Sequence, residues 1–165
     1  VKAAEIGILV VLACLGVVLP ANAATVLAKG LFSYEAPAGW FVHPQSNSNF
    51  PVASTNDAAI LVEIQKSNAP IDDFIREYLS YLETKQKAHI LRSESFVTAA
   101  GLDGYRLVLL GPSVAGADNT LMEKVFYIFD GGADQKILVE ASCSPSQAAR
   151  CEPQFDASMK TFSLE

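Results

Sequence analysis

The chain has 165 residues, of which 50% are hydrophobic, 18% charged and 9% aromatic, with a formal net charge of −6. That is one domain's worth of material, apolar enough to build a core and too weakly charged to stay disordered. Lys+Arg 12 against Asp+Glu 18 leaves no basic reserve for phosphates, which argues against both nucleic acid and anionic lipid as partners.

The apolar residues crowd the N-terminus. Lys2 precedes an apolar run from Ile6 to Leu19, Pro20 ends it, and Ala21-Asn22-Ala23 follows as a small-x-small site. These are the parts of a secretory signal peptide. As a helix the run would reach only about 21 Å, short of the ~30 Å hydrocarbon core. The expectation is a signal peptide over 1–23, cleaved after Ala23, an exported single domain over 24–165, and no stable membrane span once cleaved. Two rivals stand beside it: an uncleaved anchor, since apolar character persists to Ala28, and a lipoprotein tethered through Cys14.

Cleavage would remove Cys14 and leave Cys143 and Cys151. An even pair in an oxidising compartment predicts a disulfide. Closing a loop of about nine residues stabilises by roughly 2.5 kcal/mol on the chain-entropy account. The alternatives are free thiols or a redox pair, though a redox pair is usually spaced C-x-x-C and this spacing differs.

Along the mature chain, residues 30–43 read as two short strands around the Pro37-x-Gly39 break, with Phe32 and Tyr34 alternating. Pro44 to Asp57 is rich in Ser, Asn and Pro and reads as a surface loop. Ala59 to Gln65 predicts a strand with Ile60, Val62 and Ile64 on one face.

Ile71, Phe74, Ile75, Tyr78, Leu79 and Leu82 then form one apolar stripe at helical spacing, which predicts a helix from Ile71 to Lys87. Asn68 and Pro70 suit its entry, Asp72 and Asp73 meet the positive end of the dipole, and Lys85 and Lys87 lie toward the negative end. Ser93–Ala99 and Tyr105–Leu110 read as a hairpin turning at Gly101-Leu102-Asp103-Gly104. Gly111 to Asn119 reads as a loop. Leu121–Phe129 and Lys136–Cys143 form the longest strand pair, linked across Asp130-Gly131-Gly132. In the first of these, Val125, Tyr127 and Phe129 oppose Phe126 and Ile128, so both faces are apolar and the strand is central. Pro153 to Phe162 reads as a short terminal helix, with Phe155, Met159 and Phe162 on one side.

Hairpin links dominate, so the class is α+β: an antiparallel β-sheet covered by one long and one short helix. Phe32-Ser33-Tyr34-Glu35-Ala36-Pro37-Ala38-Gly39-Trp40 resembles the opening of PsbP-type domains, where a strand ends at a Pro-x-Gly-Trp corner. Gly104-Tyr105-Arg106 and the closing run Phe155 to Phe162 are similar to the same superfamily, which includes the DcrB-type envelope domains. The resemblance implies a PsbP-like α/β/α sandwich in an exported protein, periplasmic or, in a photosynthetic source, in the thylakoid lumen. It also implies action by binding or assisting assembly, and it carries over no catalytic residue. The Cys143–Cys151 pair is not part of that pattern.

The sequence supplies little chemistry. His43 stands at a strand end and His89 beyond the helix, both as capping or surface residues. No H-x-x-x-H, C-x-x-C or dense carboxylate cluster predicts a metal. Gly111-Pro112-Ser113-Val114-Ala115 comes close to a nucleophile elbow, but no His follows residue 89, as the hydrolase order requires. No cofactor and no enzyme activity are expected. Trp40, Phe41, His43 and Phe50 bracket a polar loop and are the candidate partner-binding residues; the plainer reading has Trp40 and Phe41 plugging the end of the core.

Three functions follow. One is a non-enzymatic exported module acting through a protein partner in the envelope or lumen. The second is a small-molecule or lipid-binding domain using a cleft between the 71–87 helix and the sheet. The third is an enzyme, whose signature would be a cluster of buried, mutually hydrogen-bonded polar groups.

Overall fold

The computed structural model describes residues 23–28, 30–43, 52–112, 120–132 and 134–165. The segment expected to be a signal peptide, Cys14 within it, and Phe50 all lie outside these residues. In chain order the elements are β1 (Thr25–Ala28), β2 (Phe32–Glu35), β3 (Phe41–His43), β4 (Val52–Ser54), β5 (Ala58–Lys66), α1 (Ile71–Thr84), β6 (His89–Val97), β7 (Asp103–Pro112), β8 (Leu121–Gly132), β9 (Gln135–Cys143), a 3₁₀ turn (Pro145–Gln147), α2 (Ala148–Lys160) and β10 (Ser163–Leu164).

Among the described residues, seven strands make one antiparallel sheet in the order β3-β4-β5-β9-β8-β7-β6, and β1, β2 and β10 make a smaller one. The large sheet is clad on both faces, because its central strands carry apolar runs such as Val125–Phe129 and Ile137–Val139 that present apolar side chains to both sides. Successive side chains of a strand point to opposite faces. Phe126, Ile128, Leu107, Leu109 and Leu138 therefore meet Phe74, Ile75 and Leu82 of α1. Val125, Tyr127, Phe129, Val108 and Val139 meet Cys151, Phe155 and Met159 of α2 together with the small sheet. The fold is the expected α+β sandwich, with the central position of β8 as read from its two apolar faces.

The small sheet completes the second layer. Phe162 follows α2 and stacks on Phe129 at 4.6 Å and on Phe32 at 5.5 Å, joining both sheets through aromatic rings.

Several boundaries differ from the sequence pattern. The two strands around Pro37-x-Gly39 form, but β2 pairs in the small sheet and β3 in the large one. The corner, with Gly39 at φ +80°, is a crossing between layers rather than a hairpin. Gly101, at φ +80°, makes the β6–β7 turn, while Asp103 and Gly104 already lie in β7. Gly104 is required by close approach: a Cβ there would sit 2.5 Å from Phe129 Cδ1 and 2.7 Å from the Ile128 carbonyl oxygen.

β6 begins at His89, four residues before its expected start, because it is an edge strand with little apolar signal. Gly111 and Pro112, read as loop, extend β7 opposite Met122 and Leu121 of β8. α1 ends at Thr84 rather than Lys87, and Lys87 adopts φ +55° beyond it. α2 begins at Ala148, with Pro153 inside it, so the helix read as short has 13 residues against 14 in α1.

Candidate functional site

α1 does not cover its side of the sheet evenly. The core beneath it draws on β7, β8 and β9, and no residue of β3, β4 or β5 joins it. The uncovered half can be read from the register. Phe41 pairs with Ser54, Ser54 with Ala59, Ala59 with Ser142 and Ser142 with Lys124, and directly paired residues share a face. Their neighbours Val42, Ala53 and Ile60 pack into the opposite core. Phe41, His43, Ser54, Ala59, Leu61, Glu63 and Gln65 therefore stand on the face that α1 leaves bare.

On this face Phe41 is 73% exposed and Leu61 42%, and Tyr81 at the margin of α1 is 47% exposed. Between α1 and β5 runs a cleft of about 530 Å³ lined by Glu63, Gln65, Phe74, Glu77, Tyr78 and Tyr81. A smaller hollow of about 290 Å³ lies farther along β5, lined by Leu61, Met122, Lys124 and Glu140. Rings line the α1 wall: Phe74 stacks on Tyr78 at 6.0 Å, and Tyr78 on Tyr81 at 6.2 Å. Burial raises the Tyr78 hydroxyl above its ordinary pKa, and the carboxylates of Glu140 and Glu63 add to the shift. Lys124, on the floor, is buried and paired with Glu140 at 2.9 Å.

The four candidate partner residues divide. Trp40 is buried, edge-on to Phe155 of α2 at 6.0 Å, and plugs the core as the plainer reading expects. Phe41 points the other way and is exposed. His43 lies beside it, ring centroids 6.4 Å apart, with Nε2 2.8 Å from Ser54 Oγ. Phe50 is outside the described residues.

A second constellation lies on the α2 side, and the sequence reading missed it. Arg106, 5% exposed within apolar β7, directs Nε to Asp156 at 2.7 Å and its terminal nitrogens to Glu94 at 2.8 Å and Glu152 at 2.5 Å. Tyr127 Oη–H donates to the same Asp156 oxygen at 2.6 Å, and Arg92 also pairs with Glu152. Burial by itself would lower the Arg106 pKa, but hydrogen bonds to Glu152 and Asp156 more than offset it, so the guanidinium stays charged. The signal available was an arginine inside an apolar strand run, which needs buried anions. Arg92, Glu94, Arg106, Glu152, Asp156 and Lys160 border a cleft of about 470 Å³. This is a buried polar cluster of the kind that would mark an enzyme, but each end of its guanidinium is tied to a carboxylate.

The expected Cys143–Cys151 disulfide is not formed. Both are free, buried thiols. They are hydrogen-bonded neighbours, and burial first, then Cys151 and the charges of Glu123 and Glu152, push the Cys143 thiol up to about 12. Asp72 and Asp73 have protein partners besides the helix dipole: Tyr105 Oη–H donates to Asp72, and Asp73 pairs with Arg76 at 3.0 Å. Among the described residues no group of three or more His, Cys, Asp or Glu has the geometry of a metal site. Nor is any helix among them long and apolar enough to cross a membrane.

These layers define a PsbP-like fold. The chain superposes on cyanobacterial PsbP (CyanoP) from Synechocystis sp. PCC 6803 with a TM-score of 0.61 and 13% identity, over 93% of this chain and 99% of that one. It also superposes on the Ran-binding protein Mog1p of Saccharomyces cerevisiae, with a TM-score of 0.61 and 15% identity over 87% and 96% of the two chains. LpqN of Mycobacterium tuberculosis, involved in cell envelope biogenesis, gives a TM-score of 0.59 and 9% identity over 81% and 82%. No protein-family model matches the chain, and no curated protein matches it by sequence. At these identities the likeness is one of fold.

Proposed function

We propose that this is a non-enzymatic, exported binding module that docks a protein partner in the envelope or lumen on the bare half of the α1 face. The observation that carries the reading is the exposure of Phe41 and Leu61 on the half-covered sheet face, with Tyr81 exposed on the adjoining side of α1. Exposed apolar groups gathered on one face are where a partner gains most from excluding water. Proteins of the same fold include a Ran-binding protein and one involved in cell envelope biogenesis, which supports a binding role. The Arg106 cluster acts as a clamp between α2 and the sheet. Export rests on the N-terminal pattern of Lys2, the Ile6–Leu19 run and Ala21-Asn22-Ala23.

A photo-crosslinking side chain placed at Phe41 or Leu61 in the native cell should yield one discrete protein adduct. The same group at Ala157, exposed on α2, should not. Adducts of equal yield at all three positions, or none at Phe41 and Leu61, would overturn the reading. The aromatic cleft beside α1 favours a second reading, a small-molecule site; its sign would be a ligand retained in native mass spectrometry.

A further inference from the structure

We propose that the cleft between α1 and β5 receives a lysine- or arginine-bearing extended segment of the partner. This rests on the docking reading above and narrows it to one chemistry. Glu63 rises from the β5 floor and Glu77 from the α1 wall. Neither has an ion-pair partner among the described residues, and Glu63 accepts only a hydrogen bond from Gln65 Nε2 at 3.0 Å. No basic residue lines the cleft. Two lysines share this sheet face, and both are engaged: Lys136, across from Gln65, turns its ammonium to the Ser67 carbonyl and Asp130, and Lys124 pairs with Glu140. Two like charges facing one hollow repel each other, and an incoming cation relieves that repulsion.

The aromatic wall adds a second attraction of the same sign. Tyr81 is half-exposed at the end of the Phe74–Tyr78–Tyr81 run, and an aromatic face attracts ammonium and guanidinium groups. An acyl chain in this place would strip water from two carboxylates without replacing it. An anionic partner would be repelled by them and by the net charge of −6. The floor from Leu61 to Gln65 runs about 13 Å, long enough to hold several residues of an extended chain.

The test uses the full folded domain, amide NMR and a short peptide of alternating lysine and threonine as probe. Amides of residues 61–65 and 74–81 should shift, the glutamate counterpart of the peptide should leave them unmoved, and added salt should weaken the effect. Replacing both carboxylates (Glu63→Gln with Glu77→Gln) should lower affinity roughly fivefold or more while leaving the melting temperature in place. Shifts scattered over the whole surface, equal binding of the glutamate peptide, or the same shifts with butylammonium alone would overturn the proposal. If crosslinks at Leu61 persist undiminished in the double variant, the docking face stands and the basic segment falls. If crosslinks at Phe41 and Leu61 are missing from the parent chain, both fall.

Discussion

Glu123 of β8 and Glu152 of α2 bring their carboxyl groups against each other, and the contact drives their acidities apart. Glu123 is 8% exposed, with Oε1 unpartnered, and its pKa is raised first by burial and then by Glu152. For Glu152, burial pulls upward, but hydrogen bonds from Arg106 and Glu123 bring it below the ordinary range. The two carboxyls therefore titrate apart, Glu123 above the ordinary carboxylate range and Glu152 below it.

A raised carboxyl pKa gives stability that is present below the unfolded value and is lost as pH rises through the folded one. Glu123→Gln removes the titrating group and with it that loss. Thermal melts should show the variant gaining on the parent from mildly acid to neutral pH, with the gap closing on acidification. A gap that stays constant with pH would refute the raised Glu123 pKa. Glu152 works in the opposite sense, so acidification below the ordinary carboxylate range should destabilise both proteins.

Arg106→Ala would leave Asp156 without its cation and Glu152 with only the half-exposed Arg92. Breaking a buried ion pair from one side costs about 3 kcal/mol or more, and chemical denaturation should show a loss of that order. Arg106→Lys should recover only part of it, because a point charge cannot reach three carboxylates at once. An Arg106→Ala protein of unchanged stability would remove the clamp role and return this cleft to consideration as a reactive site.

Gly104→Ala tests the close approach of β7 to β8. The new methyl meets both the Phe129 ring and the Ile128 carbonyl, and the carbonyl is backbone that cannot swing away. Overpacking of this kind costs roughly 1–3 kcal/mol. Gly111→Ala, whose nearest neighbour is the mobile end of Leu109 at 3.3 Å, should cost less.

How much of this was legible beforehand depends on where each signal lies. The α1 stripe beginning at Ile71 and the two apolar faces of β8 are periodic over many residues, so the sandwich could be read directly. The edge strand β6 could not be read fully, since Arg92, Ser93, Glu94 and Ser95 have no face to bury. Asp103-Gly104 looked like a turn because a glycine needed for close packing resembles one needed for a positive φ. Pro153 suggested a helix start, although Cys151, one turn before Phe155, already extended the buried stripe. A cleft between the 71–87 helix and the sheet was expected, and one lies between α1 and β5. That it opens onto a bare half of the sheet was not legible, because that depends on where a helix of fixed length settles over a seven-stranded sheet.

Trp40 and Phe41 are adjacent aromatics with opposite fates, and substitution should separate them. Trp40→Ala empties a site against Phe155 and should lower stability by about 3 kcal/mol or more. Phe41→Ala removes an exposed ring and should change stability by less than about 0.5 kcal/mol while reducing partner capture. Equal melting shifts for the two variants would contradict the alternation of faces along β3.

The thiol pair gives the last expectation. The thiolate, not the thiol, attacks an alkylating agent, and Cys143 is pushed up to about 12 within a buried site. In the reduced, folded domain it should resist iodoacetamide near neutral pH and react only after denaturation. Exposure to an oxidised dithiol reagent should convert the pair by exchange: the protein loses two protons and two electrons, and the reagent disulfide is reduced. Intact mass falls by the two hydrogens, and the loop of about nine residues should raise stability by as much as roughly 2.5 kcal/mol where closure adds no strain. Rapid alkylation of the folded chain would show that α2 does not seal Cys143 from solvent. A pair that resists oxidation even when the reagent is present in excess would mean that the thiol contact is too constrained to close.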